Sequence, residues 1–203
     1  MIRHSKFPLA GLVGILGSWG LADDTAVLSV KERERLTAGE TVVLSQRPDE
    51  TDTIDHRFVT VAAVLEGPVS IVWEVINDKE NAATFLDGVL ESKVIEREGN
   101  TIIVEQVTHV GGPRGSYRYR LRHQLTPETR ADFTYIEGEL RDIAGTWWIF
   151  AEVDPTKCLV VYSLRIDPGL IVPQPLIRSG MRGTMPKTIK GIQAEVTRRA
   201  KVR

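Results

Sequence analysis

Residues 116–125 read Ser-Tyr-Arg-Tyr-Arg-Leu-Arg-His-Gln-Leu. Successive side chains of a strand point to opposite sides, so Tyr117, Tyr119, Leu121, His123 and Leu125 share one face while Arg118, Arg120 and Arg122 share the other. The aromatic face is the inner one. A strand with one apolar and one charged face belongs to an antiparallel sheet that covers a core on one side only. Neighbouring sequence extends the pattern. β-prone runs at 89–97, 101–110, 131–140, 146–153 and 159–166 are separated by turn signals at Gly99-Asn100, Pro127-Glu128, Ile143-Ala144-Gly145 and residues 154–157. Links this short join antiparallel neighbours.

Before these strands, residues 57–66 form a further β-branched, apolar run that ends at Gly67-Pro68, where proline opens a helix. Val69, Val72, Trp73, Ile76 and Phe85 then follow at helical spacing, broken near Asn77-Asp78, which predicts one helix, a turn and a second short helix. After Pro168-Gly169 the period is helical again, with Ile177, Met181, Met185, Ile189, Ile192 and Val196 on one face. Pro186, two residues after Thr184, predicts a restart within that helix. The order β-αα-β-β-β-β-β-β-α predicts an α+β domain: about seven strands in one curved antiparallel sheet, covered on its concave side by a long C-terminal helix.

The main domain is expected over residues 56–203. Residues 23–55 read as a flank, with a polar helix at 30–37 ending at Ala38-Gly39, a short β-prone run at 41–44 and an acidic loop at 47–55. Residues 1–22 read as a secretory signal peptide. Arg3 and Lys6 precede an uncharged run with four glycines, shorter than the ~20 residues a spanning helix needs, and Gly20-Leu21-Ala22 offers small residues for cleavage. The expected location is periplasmic or extracellular.

The chain has 26 basic and 27 acidic residues. Without residues 1–22, which hold two of the basic ones and no acid, 24 face 27, a net charge of about −3 that disfavours nucleic acid as a partner. Cys158 is the only cysteine, so no internal disulfide forms. It opens an apolar strand and reads as a small core residue rather than a nucleophile. With Cys158 so far from the leader, a lipoprotein is not expected.

Phe85, Tyr117, Tyr119, His123, Trp148, Phe150, Tyr162, Ile177, Met181 and Met185 are the candidates for lining a ligand cavity, each against the simpler reading of core packing. In 146–153 both faces are apolar, as befits a strand covered on both sides. Residues 131–140 do not decide which face is buried, and Gly138 marks a bend. No metal site is expected: His109 and His123 lack ligand spacing and no His, Cys, Asp or Glu cluster forms. No cofactor loop or nucleophile elbow occurs, and no catalytic residue is assigned. An enzyme would have to draw its acid or base from His123, Glu137 or Tyr119 facing into the cavity. Arg118, Arg120 and Arg122, with the basic C-terminus, would suit a peripheral contact with anionic lipid; a solvated exterior paired with neighbouring acids is the simpler reading.

Two segments carry a resemblance. Gly-Pro-Val-Ser-Ile-Val-Trp-Glu-Val-Ile-Asn-Asp at 67–78 and Phe-Leu-Asp-Gly-Val-Leu-Glu-Ser-Lys-Val-Ile at 85–95 resemble the opening of START-like (SRPBCC) domains of the polyketide cyclase/dehydrase or coenzyme Q-binding type. The likeness extends through Gly145-Thr-Trp-Trp148 and the turn from Asp167 to Pro173, over roughly 57–200. It implies the helix-grip fold, with an apolar cavity between sheet and terminal helix. It also implies a hydrophobic partner such as a lipid, quinone or polyketide, either bound and carried or, alternatively, acted on by a cyclase or dehydratase. No family catalytic residue transfers to a position here. The exported leader departs from the mitochondrial or cytosolic setting of many relatives.

Overall fold

The computed structural model describes residues 28–45, 47–49, 55–109, 115–169 and 172–202. The leader expected at 1–22 and much of the loop at 47–55 lie outside them. Eight strands form one antiparallel sheet: β1 (Val42–Leu44), β2 (Val59–Glu66), β3 (Val89–Glu98), β4 (Thr101–His109), β5 (Ser116–Thr126), β6 (Arg130–Gly138), β7 (Asp142–Ala151) and β8 (Lys157–Asp167). Their spatial order is β1-β2-β8-β7-β6-β5-β4-β3. The six strands β3 to β8 follow one another as a meander, and β8 then pairs with β2 along its whole length, Val59 opposite Leu164 and Glu66 opposite Lys157. Helix α1 (Val30–Thr37) precedes the sheet, α2 (Val69–Asn77) and α3 (Ala82–Phe85) follow β2, and α4 (Gln174–Ala200) ends the chain.

This is the expected curved sheet around a C-terminal helix, with one strand more than the sequence predicts. The extra strand is β1. Leu36 of α1, expected as part of a solvated flank, is buried with Val42 and Leu44. α1 itself is capped as its sequence directs, Ser29 and Glu32 forming a reciprocal capping box.

Two cores result. The larger lies between the sheet and α2 and α4, built from Val61, Leu65, Val72, Ile76, Tyr117, Tyr119, Leu121, Phe133, Trp147, Tyr162 and the α4 row Met181, Met185, Ile189, Ile192 and Val196. Each such fully buried aliphatic side chain contributes roughly 1.5–3 kcal/mol. The smaller lies on the opposite face, where Leu36, Val42, Leu44, Ala62, Leu159 and Val161 enclose Trp148, with Phe150 partly buried beside them.

Three local expectations are corrected. The turn placed at 143–145 lies inside β7, which begins at Asp142. Gly145 is there because a Cβ would come within 2.3 Å of both the Phe133 ring and the Ser163 carbonyl, so its small size serves cross-strand packing rather than a turn. α4 runs unbroken through Pro186. Thr184 does not cap a new helix; its hydroxyl donates back to the Gly180 and Met181 carbonyls at 3.2 and 3.3 Å. Glu137 is not inward. A bulge lets Arg120 oppose Glu137 and Leu121 oppose Tyr135, leaving Ile136 over, so the alternation shifts by one and Glu137 emerges beside the arginines. The bend expected at Gly138 is present: its φ of +136° and the Tyr119 Cα, 2.4 Å from where a Cβ would sit, admit only glycine.

Candidate ligand-binding site

Sheet register assembles an aromatic wall beneath α4. His123 and Phe133 are directly opposite on β5 and β6, with ring centroids 5.6 Å apart. Trp147 and Tyr162 are directly opposite on β7 and β8, stacked at 3.8 Å with planes 5° apart. Phe133 and Tyr162 connect the two pairs at 6.5 Å. Cross-strand aromatic pairs of this kind stabilise a sheet beyond their buried area. Met181 and Met185 face this interior from α4, and Phe85 and Ile177 pack at its margin, partly buried.

Of the ten candidate residues, the fold therefore gathers Tyr117, Tyr119, His123, Tyr162, Met181 and Met185 in the helix-facing interior, with Phe85 and Ile177 at its edge. Trp148 and Phe150 are on the other side of the sheet, beneath α1 and β1. Their face was misassigned because both faces of β7 are apolar, and alternation alone cannot choose between Trp147 and Trp148. Trp147 and Phe133 take the places expected for them.

The polar groups of the interior differ in how they are satisfied. Tyr119 shares a hydrogen bond of 2.7 Å with Thr108, and burial pushes its phenol up to about 12. Burial raises the Tyr162 phenol further. His123 is 4% exposed, and neither ring nitrogen meets a hydrogen-bond partner. Burial, reinforced by the positive charge of Lys79, holds its imidazole well below the usual histidine range, so it is neutral at neutral pH.

Lys79, which sequence reasoning missed, is the second buried group. It follows the end of α2, where Asp78 closes the turn by accepting from Asn81 Nδ2 at 2.9 Å and from Arg199 of α4. Arg199 also grips Glu195 at 2.7 Å, and Glu195 takes Arg198 at 2.6 Å. This network ties the α2–α3 turn to the C-terminal half of α4 and leaves the Lys79 side chain inside, 7% exposed, its ammonium donating to the Ile76 carbonyl at 2.6 Å. Burial lowers its pKa to about 8, against a smaller opposing pull from Asp78. Nothing in the run Asn-Asp-Lys-Glu-Asn at 77–81 distinguishes one buried lysine from an ordinary polar turn.

Outside the interior, Arg118 is spent on Glu91 at 2.8 Å and Glu105 at 3.1 Å, and Arg120 on Glu105 at 3.0 Å and Glu137 at 2.6 Å. The arginine stripe is thus largely the paired sheet exterior of the simpler reading. Cys158 is fully buried, and burial pushes its thiol up to about 12, unsuited to nucleophilic work. A small open cleft of about 70 Å³ lies between β1, β2 and the start of α4, where Phe58 is flanked by Arg47 at 4.0 Å and Arg165 at 5.6 Å and where Arg178 and Arg182 form one wall. It is too small for a lipid-sized molecule. No helix among the described residues is long and apolar enough to cross a membrane.

Residues 65–192 match the family described as polyketide cyclase / dehydrase and lipid transport. Among solved structures, the STAR-related lipid transfer protein of Xanthomonas axonopodis superposes with a TM-score of 0.60 at 12% identity, covering 88% of this chain and 98% of that one. The Zhui aromatase/cyclase of Streptomyces sp. R1128 superposes with a TM-score of 0.57 at 17% identity, covering 72% and 95%. Likeness at these identities concerns the fold. The human protein Protocadherin alpha-2 is 26% identical over 69% of this chain, which spans 17% of that protein's length. The family match covers more than half of the sequence and takes in α2, α3, strands β3 to β8 and most of α4, so the chain belongs to the polyketide cyclase/dehydrase and lipid transport family, with the helix-grip fold of the START proteins it superposes on.

Proposed function

We propose that this protein binds and carries a hydrophobic small molecule, a lipid, quinone or polyketide, between the sheet and α4. The observation that carries the reading is the aromatic wall His123–Phe133–Tyr162–Trp147 facing two methionines of α4. Flat rings offer a ligand large apolar area, and unbranched thioethers repack at little cost around molecules of different shape. Burial of apolar surface then drives capture, with few polar groups to orient the ligand. The family description and the lipid transfer function in the name of the Xanthomonas protein are consistent with this. We further propose export by cleavage after residue 22, on the composition of the leader alone.

A second reading, a cyclase or dehydratase acting in the same interior, draws on Lys79 and His123. Both are titratable, buried and shifted from their ordinary pKa values, as groups at catalytic sites often are. Tyr119 would have to act as a neutral donor, and Glu137 lies on the wrong face.

Native mass spectrometry of protein purified from its own host, followed by organic extraction, tests the carrier reading. The expected result is a stoichiometric apolar ligand, released unchanged. Protein that arrives empty and binds no apolar probe would overturn it; a ligand converted to a product of different mass would favour the enzyme.

A further inference from the structure

The cleft between β1, β2 and the start of α4 has charges that do not cancel. Its lining includes Arg47, Asp55, His56, Phe58, Arg178 and Arg182, and none of the aromatic wall. Three arginines beside it are already committed. Arg57 holds the Asp55 carboxylate at 2.7 Å, Arg165 holds Asp142 at 2.5 Å, and Arg47 lies over the Phe58 ring and pairs with Asp49 at 3.3 Å. Asp55 is the one carboxylate in the described lining, and its bond to Arg57 keeps its pKa low, at about 2.

Arg178 and Arg182 are not committed in this way. They are four residues apart on α4, hence neighbours on one helix face, and both line the cleft. Neither makes an ion pair with a described residue, and the Nε of Arg178 is buried without a hydrogen-bond partner. The cause is in the sequence: residues 168–194 contain no aspartate or glutamate, so α4 offers neither arginine a carboxylate one turn away. A guanidinium drawn partly out of water with an unmatched N–H is costly, and native proteins leave few such groups.

With the nearby aspartates each paired to another arginine, Arg178 and Arg182 leave an excess of two positive charges at the cleft. That excess is complementary to a doubly charged anion. A carboxylate would neutralise only one of the two, whereas a phosphate monoester carries about −1.5 to −2 at pH 7 and presents three acceptor oxygens to the two N–H forks. The cleft's volume of about 70 Å³ admits a group of a few heavy atoms, since one water needs ~10–15 Å³ on the same scale. The Arg47 guanidinium, braced 4.0 Å from the centre of the Phe58 ring, adds a third positive group to the lining.

We propose that this cleft binds a phosphate group, free or borne by a small ester or a lipid headgroup, and that Arg178 and Arg182 grip it. The proposal is independent of what the interior carries, and its failure would leave the carrier reading standing.

Calorimetric titration with inorganic phosphate at constant ionic strength, and cosedimentation with phosphatidylcholine vesicles with and without phosphatidic acid, test it on the full chain. Wild type is expected to bind phosphate saturably. Affinity is expected to fall at least about tenfold in Arg182→Gln, an exposed position whose replacement spares the core, and further in the Arg178→Gln/Arg182→Gln double variant. A Lys187→Gln/Lys190→Gln double variant removes the same charge from exposed positions of the same helix outside the cleft, and it is expected to bind phosphate as wild type does. Cosedimentation that requires phosphatidic acid and the two arginines would identify a lipid headgroup as the source; phosphate binding without cosedimentation would identify a soluble phosphate. Binding of neither probe, or binding that falls as far in the lysine variant as in the arginine one, would overturn the site.

Discussion

Trp147 and Trp148 are adjacent in sequence, equally buried at 6% exposure, and serve opposite sides of one sheet. Trp147 stacks on Tyr162 under the long α4 and belongs to the interior that also holds His123 and Phe133. Trp148 is enclosed by α1 and β1, with the Arg130 guanidinium 5.2 Å from its ring. On the Trp148 side, the buried hydroxyls of Thr60 and Ser163 share a hydrogen bond and Thr146 donates to Asp132. On the Trp147 side, neither ring nitrogen of His123 meets a hydrogen-bond partner, and Lys79 has the Ile76 carbonyl as its acceptor. A face built only for stability has no reason to leave such groups unmatched, and this contrast is what supports the proposal of a ligand site on the α4 side.

The largest effect that tests this contrast is truncation of each tryptophan. Trp147→Ala and Trp148→Ala should each lower unfolding free energy by about 3–5 kcal/mol in urea titration. Their secondary effects should diverge. Only Trp148→Ala should speed tryptic cleavage at Lys31, Arg33 and Arg35, by loosening α1, and only Trp147→Ala should weaken binding of an apolar probe. Loss of probe binding in both would show that the two faces are not functionally distinct.

Next in size is the cost of burying Lys79. With its pKa near 8 in the folded protein and near 10.5 unfolded, both states are protonated below pH 8, and folding then bears the full penalty. Between those values the unfolded chain holds the extra proton, so stability rises with pH. Wild type should therefore gain about 3 kcal/mol relative to Lys79→Met across that window. His123, on which the Lys79 charge acts, is already neutral, and Asp78 is paired with Arg199, so neither changes charge in that range. A pH-independent difference between the two proteins would place the ammonium in solvent.

The smallest effect belongs to the sheet exterior. Arg118→Ala and Arg120→Ala should each cost less than about 1 kcal/mol, and added salt should reduce that, because both ion-pair networks are solvent-exposed. Thermal melts at low and high salt measure it. A cost of several kcal/mol would mean that the exterior contributes more to the fold than its exposure allows.

Much of the fold was legible because its signals are local and periodic. The alternation in β5, the row of apolar residues along α4 and the break between α2 and α3 each sit within one segment. The site was legible in part for the same reason: Tyr117, Tyr119 and His123 share a face of a strand whose other face is charged, and Met181 and Met185 share a face of a helix. Where both faces of a segment are apolar, as in β7, the pattern has no preferred side, and the aromatics were assigned to the wrong one. Glu137 was misplaced because a single-residue bulge moves every later side chain to the other face, and a bulge leaves no mark in composition.

The sequence by itself determined the order of elements, their antiparallel pairing and the inward row of α4, since these follow from the periods of 2.0 and 3.6 residues and from the turn residues between them. Only the tertiary structure decided which tryptophan faces α4, that Gly145 makes room for a ring across the sheet, and that Lys79 is drawn inside while Asp78 beside it is held by Arg199. Each of those depends on residues distant in the chain meeting in space: burial and electrostatic cost are properties of the assembled neighbourhood, and no single segment carries them.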